Sequence, residues 1–244
     1  MFYGSASKGF KSGGFNGRLT TEAKPFDPEE MWSYEAGVKS LLADQSIRLN
    51  FATFYNDYEN FQLSRFSIDP DTGAFLSLFE NAGQATIYGA ELELTVIASD
   101  NLTINLNGGY LDGGYDELIG DFEQEVSDER ELVNAPKWNG RVGIEYWFDI
   151  GNLGELSLNL SASYRSKTYL TVSSSEVLAQ SNYTLVDFSL NYDGLEHWQV
   201  TLYGKNLTDE NYRQHGFDLS ASPGVQLGYY GAPRTFGLNA RYNF

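Results

Sequence analysis

The sequence predicts an all-β fold, and within that class a transmembrane, antiparallel, up-and-down β-barrel architecture with about ten strands. Apolar and polar residues alternate along segments long enough to cross a bilayer, which takes about 9–11 tilted residues. Globular strands average about 5–6 residues, so length alone disfavours a soluble sandwich. The connections alternate between short and long. The charges keep to the polar side of the alternation.

Strands bounded by turn residues are expected at approximately 1–9, 30–43, 46–64, 79–98, 101–115, 136–149, 154–169, 181–193, 196–207 and 232–244. Successive strand side chains point to opposite faces, so each segment divides into an apolar and a polar set. Glu35, Lys39 and Arg48 fall in the polar sets of the second and third strands, and Glu91 and Glu93 in that of the fourth. In the fifth, Leu102, Ile104, Leu106 and Tyr110 oppose Thr103, Asn105 and Asn107. In the sixth, Trp138, Val142, Ile144, Tyr146 and Phe148 oppose Lys137, Asn139, Arg141 and Glu145. The seventh sets Leu156, Leu158, Leu160, Ala162 and Tyr164 against Glu155, Ser157, Asn159, Ser161 and Arg165. Asp187 in the eighth and Lys205 in the ninth keep to the polar side. The last sets Phe236, Leu238, Ala240, Tyr242 and Phe244 against Gly237, Asn239, Arg241 and Asn243. A cation facing lipid at mid-membrane costs about 2–4 kcal/mol, so a bilayer would enforce this sorting. Trp32, Tyr110, Trp138, Tyr164 and Trp198 lie near strand ends, as interfacial girdles require.

Short turns are expected at Ala43–Ser46, Ser99–Asp100, Ile150–Leu153 and Asp193–Glu196, and long loops at 10–29, 65–78, 116–135, 170–180 and 208–231. Outer-membrane barrels have short periplasmic turns and long extracellular loops, and every short turn falls on one side. The loop at 116–135 holds Asp116, Glu117, Asp121, Glu123, Glu125, Asp128, Glu129 and Glu131 against Arg130. It reads as a solvated acidic loop; attraction of cations by field focusing is the sharper alternative.

The chain has 244 residues, a net charge of −17 and no cysteine. That charge argues against nucleic acid as a partner. Without cysteine there is no disulfide framework and no cysteine metal site. No run of about eighteen apolar residues marks a transmembrane helix, and a barrel would show none. The opening MFYGSASKGF lacks the basic and apolar regions of a signal peptide. An outer-membrane protein must be exported, so either this is an internal piece of a longer precursor or the membrane reading is wrong.

Arg141 and Arg165 are candidate lumen residues for ligand contact, and His215 is another in the last long loop, near Asp209, Glu210 and Asp218. A histidine with paired carboxylates could activate water. No second carboxylate pair accompanies His215, so neither an enzyme nor a cofactor or metal site is expected. Two further classes stay open on the residues alone. One is a small self-contained pore or surface-binding barrel; the other is a soluble carbohydrate-binding β-domain.

The segments YGSASKGFKSGGFN (3–16), YEAGVKSLLADQSIRLNFATFYNDYENFQ (34–62), NAGQATIYGAELELTV (81–96), NAPKWNGRVGIEYWF (134–148), LYGKNLTDENYR (202–213) and APRTFGLNARYNF (232–244) resemble the carboxyl-terminal half of TonB-dependent outer-membrane receptors, siderophore receptors above all. Their order and spacing match across essentially the whole chain. The resemblance implies a barrel of about 22 strands with a plugged lumen, residues 1–244 being its last ten strands. It implies active uptake of a scarce, bulky nutrient, most often a ferric siderophore, in the outer membrane of a Gram-negative bacterium. The implied partners are outer-membrane lipid, the nutrient, TonB reached through a plug region outside this chain, and the barrel-assembly machinery. Phe244, with Tyr242, matches the terminal aromatic signal to that machinery. The plug and about twelve earlier strands are expected to be absent from 1–244. Arg141 and Arg165 would then brace the plug or line the passage.

Overall fold

The computed structural model describes residues 1–17, 24–68, 73, 75–81, 83–118, 126–194, 197–220 and 224–243. In chain order the strands are β1 (Phe2–Lys11), β2 (Gly14–Asn16), β3 (Lys24–Phe26), β4 (Glu29–Leu42), β5 (Ile47–Glu59), β6 (Gln62–Ile68), β7 (Phe75–Asn81) and β8 (Gly83–Ser99). They continue as β9 (Leu102–Leu118), β10 (Trp138–Asp149), β11 (Glu155–Arg165), β12 (Tyr183–Gly194), β13 (Trp198–Lys205), β14 (Arg213–Leu219), β15 (Val225–Tyr230) and β16 (Thr235–Tyr242).

Ten of these form one antiparallel sheet in the order β1-β4-β5-β8-β9-β10-β11-β12-β13-β16. These are the ten strands expected from periodicity, each joined to its successor in the chain. The remaining six form three hairpins, β2–β3, β6–β7 and β14–β15, all at the long-loop end.

Register sorts the side chains into two faces. On one face Val142 lies between Leu106 and Ala162, and Leu160 between Ile144 and Phe188. Leu202 likewise lies between Leu190 and Leu238. Leu106, Val142, Ile144, Leu160, Leu202 and Leu238 are all exposed. In water this would be one broad apolar patch, far beyond what soluble monomers carry; in lipid it is the ordinary outer wall of a barrel. Aromatic rows border it. Towards the long loops, Tyr34 pairs with Tyr55 and Tyr55 with Tyr88, while Tyr110 and Trp138 pack at 4.6 Å. Towards the short turns, Tyr146 meets Phe148 at 4.5 Å and Trp198 meets Tyr242 at 5.0 Å.

Outer-face charges in the described strands lie at the long-loop aromatic row or beyond it, where headgroups and water reach them. Lys8 pairs with Glu30 at 2.7 Å; Lys137, expected on the polar face, lies just before β10 and instead reaches Asp112 on the outer side at 3.1 Å. The opposite face carries Glu35, Lys39, Arg48, Glu91, Glu93, Arg141, Glu145, Asp187, Lys205 and Arg241, as expected.

The short turns are tight. Ala43, Asp44 and Gln45 take positive φ, and the Ser46 amide donates to the Ala43 carbonyl at 3.0 Å. Gly154 has φ of +109°, and a Cβ there would stand 2.2 Å from the Asp193 carbonyl oxygen, so only glycine fits.

The structure shortens two expected strands and fills three expected loops. The segment expected as one strand over 46–64 breaks at Asn60, whose φ is +54°. β5 ends before this break, and Gln62 opens the β6–β7 hairpin. The segment 79–98 likewise divides between β7 and β8. Side chains stitch the first two hairpins together. Asn16 donates to the Phe79 carbonyl at 2.7 Å and accepts from its amide at 2.8 Å. Gln62 donates to the carbonyls of Asp27 at 3.0 Å and Ser12 at 3.1 Å.

The acidic loop also differs from expectation where it is described. Residues 126–135 fold back on the sheet, with Leu118 only 2% and Leu132 only 7% exposed. Together with Ala85 and Tyr115 they make a small apolar core above the girdle. Asp121, Glu123 and Glu125 lie outside the described residues.

Candidate functional site

The polar face of the sheet and the loop layer above it form the candidate site. Polar side chains form rows across the strands because antiparallel partners directly opposite share a face. Asn139, Arg165 and Tyr183 make one row across β10, β11 and β12. Asn107, Arg141, Ser163 and Leu185 make the next row towards the short turns. Below these come Ser161 beside Asp187, then Glu145, Asn159, Ser189 and Tyr203.

Most charges on this wall have neighbours that neutralise or fix them. Lys205 reaches Asp187 at 3.1 Å, and the other oxygen of Asp187 accepts the Asn206 amide at 2.9 Å. Asn50 donates to Glu93 at 3.0 Å, and Tyr3 donates to Glu35 at 2.5 Å. The two arginines likewise have neutral partners. Arg141 donates from Nη2 to the Ser161 hydroxyl at 3.0 Å, and Arg165 from Nη2 to the Asn134 carbonyl at 3.1 Å. Together with Asn107, Asn139 and Tyr183 they border a shallow hollow of about 270 Å³. The structure therefore brings together two of the three residues singled out as ligand contacts.

His215 is placed elsewhere. It lies on β14, edge-on to Phe217 at 4.6 Å and 6.2 Å from Tyr229. The carboxylates near it in sequence have other partners. Asp209 holds Arg234 at 3.4 Å, and Asp218 accepts from the Ser173 hydroxyl. The opposite side of this hairpin docks on the 166–182 segment. A Cβ at Gly216 would touch Leu170 and Leu178 at 3.4 Å, and Gln226 donates to Ser175 at 2.9 Å. Burial pushes the Asp218 carboxyl up, but hydrogen bonds from Ser173, Ser220 and Gln226 outweigh it and leave the group below the ordinary aspartate value.

Sequence reasoning missed this docked layer. Lys167 bonds Glu176 at 2.8 Å and Tyr169 at 3.1 Å, and Tyr169 donates to Glu176 at 2.6 Å. The carboxylate raises the Lys167 ammonium, and Lys167, followed by Tyr169, lowers Glu176. Arg130 donates to the Ser173 carbonyl, so the acidic loop is tied to the same segment. Asn206 is a second fixing point, 4% exposed. Its amide group donates to the carbonyls of Glu210 at 2.9 Å and Ala232 at 3.2 Å, and accepts from the Glu210 amide at 2.8 Å. The one signal for it was the turn-like NLTDE spacing.

At the opposite end, Tyr242 packs between Trp198 and His197, the latter at 5.4 Å. It belongs to the short-turn aromatic row. Phe244 lies outside the described residues.

Comparison with known proteins gives this architecture its relatives. The family model described as TonB dependent receptor-like, beta-barrel, matches residues 1–207. The pesticin receptor of Yersinia pestis is 26% identical over 99% of this chain and 33% of its own length. The metal-pseudopaline receptor CntO of Pseudomonas aeruginosa is also 26% identical, over 99% of this chain and 31% of its own. Among solved structures, the ferric yersiniabactin uptake receptor FyuA of Yersinia pestis superposes with a TM-score of 0.78. That match has 24% identity and covers 100% of this chain and 35% of the other. The chain thus spans about a third of the length of the relatives it matches. With its lipid-facing and polar walls and its long loops gathered at one end, the chain belongs to the TonB-dependent receptor β-barrel family of Gram-negative outer membranes.

Proposed function

We propose that this chain is part of the barrel wall of an energy-coupled outer-membrane receptor that takes up a scarce metal chelate, a ferric siderophore foremost. The observation that carries the reading is a polar wall beneath docked hairpins, built on the fold of a family whose relatives include the pesticin receptor and a metal-pseudopaline receptor. A bulky chelate would meet the hairpin layer first and then descend along the polar face. In this reading a plug from another part of the protein fills the lumen and couples it to TonB. In the same reading Tyr242 and Phe244 serve as an aromatic signal for barrel assembly. A self-contained small pore fits less well, because β1 and β16 stand at opposite edges of an open sheet.

The test is iron uptake. Deleting the coding region for residues 1–244 should abolish accumulation of radiolabelled iron from at least one siderophore in iron-starved cells. Dissipating the proton gradient should do the same in the parent strain. Unchanged accumulation across a panel of ferric siderophores and other metal chelates would sink the reading.

A further inference from the structure

We propose that Arg141 and Arg165 form a subsite for an oxyanion, a carboxylate or phosphate group carried by the ligand that enters the barrel; this rests on the uptake reading. The two residues sit on adjacent strands, since Arg141 opposes Ser163 and Arg165 opposes Asn139. They are diagonal neighbours on one face, a separation of about 7–8 Å that long side chains bridge. Both border the same hollow.

Their hydrogen-bond inventory is incomplete. A guanidinium carries five N–H donors, yet among the described residues Arg141 and Arg165 each donate a single hydrogen bond, to a neutral oxygen. The Nε of Arg165 is buried without an acceptor. Among the described residues no carboxylate oxygen lies within 4.0 Å of either guanidinium, as is also true of Lys39, Arg48 and Arg241; the pair is distinguished by adjacency on one hollow.

The ligand chemistry follows from the donors. Two guanidiniums repel a bare metal ion and present planar forks that match carboxylate or phosphate oxygens. The Tyr183 side chain borders the same hollow, and Asn107 and Asn139 add neutral amides. Arg165 is the last residue of β11, so the subsite lies at the long-loop end of the wall, the part a ligand reaches on leaving the hairpin layer.

The test is arginine footprinting of the whole receptor extracted from outer membranes. Phenylglyoxal modification of Arg141 and Arg165 is followed by mass spectrometry in chloride, and in inorganic phosphate or citrate at matched ionic strength. The expected result is slowing at both arginines by at least about threefold, the factor produced at twice the dissociation constant. Arg48 and Arg241, elsewhere on the wall, should be unaffected. Arg141→Gln should remove the protection of Arg165, whereas Arg141→Lys should retain part of it, because charge survives and the fork does not. Equal modification rates in all three anions would overturn the subsite. So would arginines already unreactive in chloride, because a carboxylate of the polypeptide would then occupy them. Loss of protection with iron uptake intact discards the subsite alone. Protection without any chelate uptake discards the transport reading and leaves the anion site standing.

Discussion

Asn206 shows how much one side chain can decide. Its φ of +50° suits asparagine better than most residues, and its buried amide closes the base of the last long loop. Asn206→Ala should lower stability by about 1–3 kcal/mol, the cost of leaving buried polar groups unsatisfied. Thermal unfolding in detergent checks this, and Asn206→Asp should fall between the two. Tyr115 gives a pH-dependent case. Burial above the girdle pushes its phenol up to about 12. The folded value is raised above the unfolded value of about 10. Its contribution to stability is therefore complete below about pH 10 and is lost as pH rises through the folded value. In a spectrophotometric titration, Tyr115→Phe should lack one tyrosinate step near pH 12. A step at pH 10 would contradict the burial.

Strands were legible and their hairpins were not, for a reason visible in the elements. A strand with one face in lipid and one in a polar lumen must alternate, so period alone located all ten members of the sheet. The same rule predicts the response to substitution along β11. Leu160→Arg should cost about 2–4 kcal/mol on the lipid side, whereas Ser161→Arg, one residue on, should be tolerated. Folding yield of the whole receptor into vesicles compares them, and equal yields would contradict the assigned faces. The loop hairpins lack this two-solvent constraint. Asn16 with Phe79 and Gln62 with Asp27 join residues far apart in sequence through side-chain contacts to backbone. No local period announces them. The acidic loop was misjudged similarly, because its carboxylates masked Leu118 and Leu132, which anchor it.

At the scale of the molecule, the sheet's two edge strands dominate the energetics. β1 and β16 each pair on one side only among the described residues. In lipid an unpaired backbone group costs several kcal/mol. Residues 1–244 expressed alone should therefore aggregate or stay at the vesicle surface unless further strands complete the wall. Heat-modifiable migration together with single-channel conductance from the isolated chain would refute this and favour a small pore.

By itself the sequence determined the fold class, the ten strand positions, the inward and outward residues and the family resemblance. Those properties follow from side-chain periodicity and from motifs contiguous in the chain. Arg141 and Arg165 were individually visible as inward-facing cations. Only the register of β10 on β11 made them neighbours, and only that of β12 on β11 brought Tyr183 beside Arg165. His215 went to a different surface because its hairpin docks through the opposite side. Strand pairing and loop docking depend on contacts between distant segments, and a local pattern carries no record of which distant partner will be chosen.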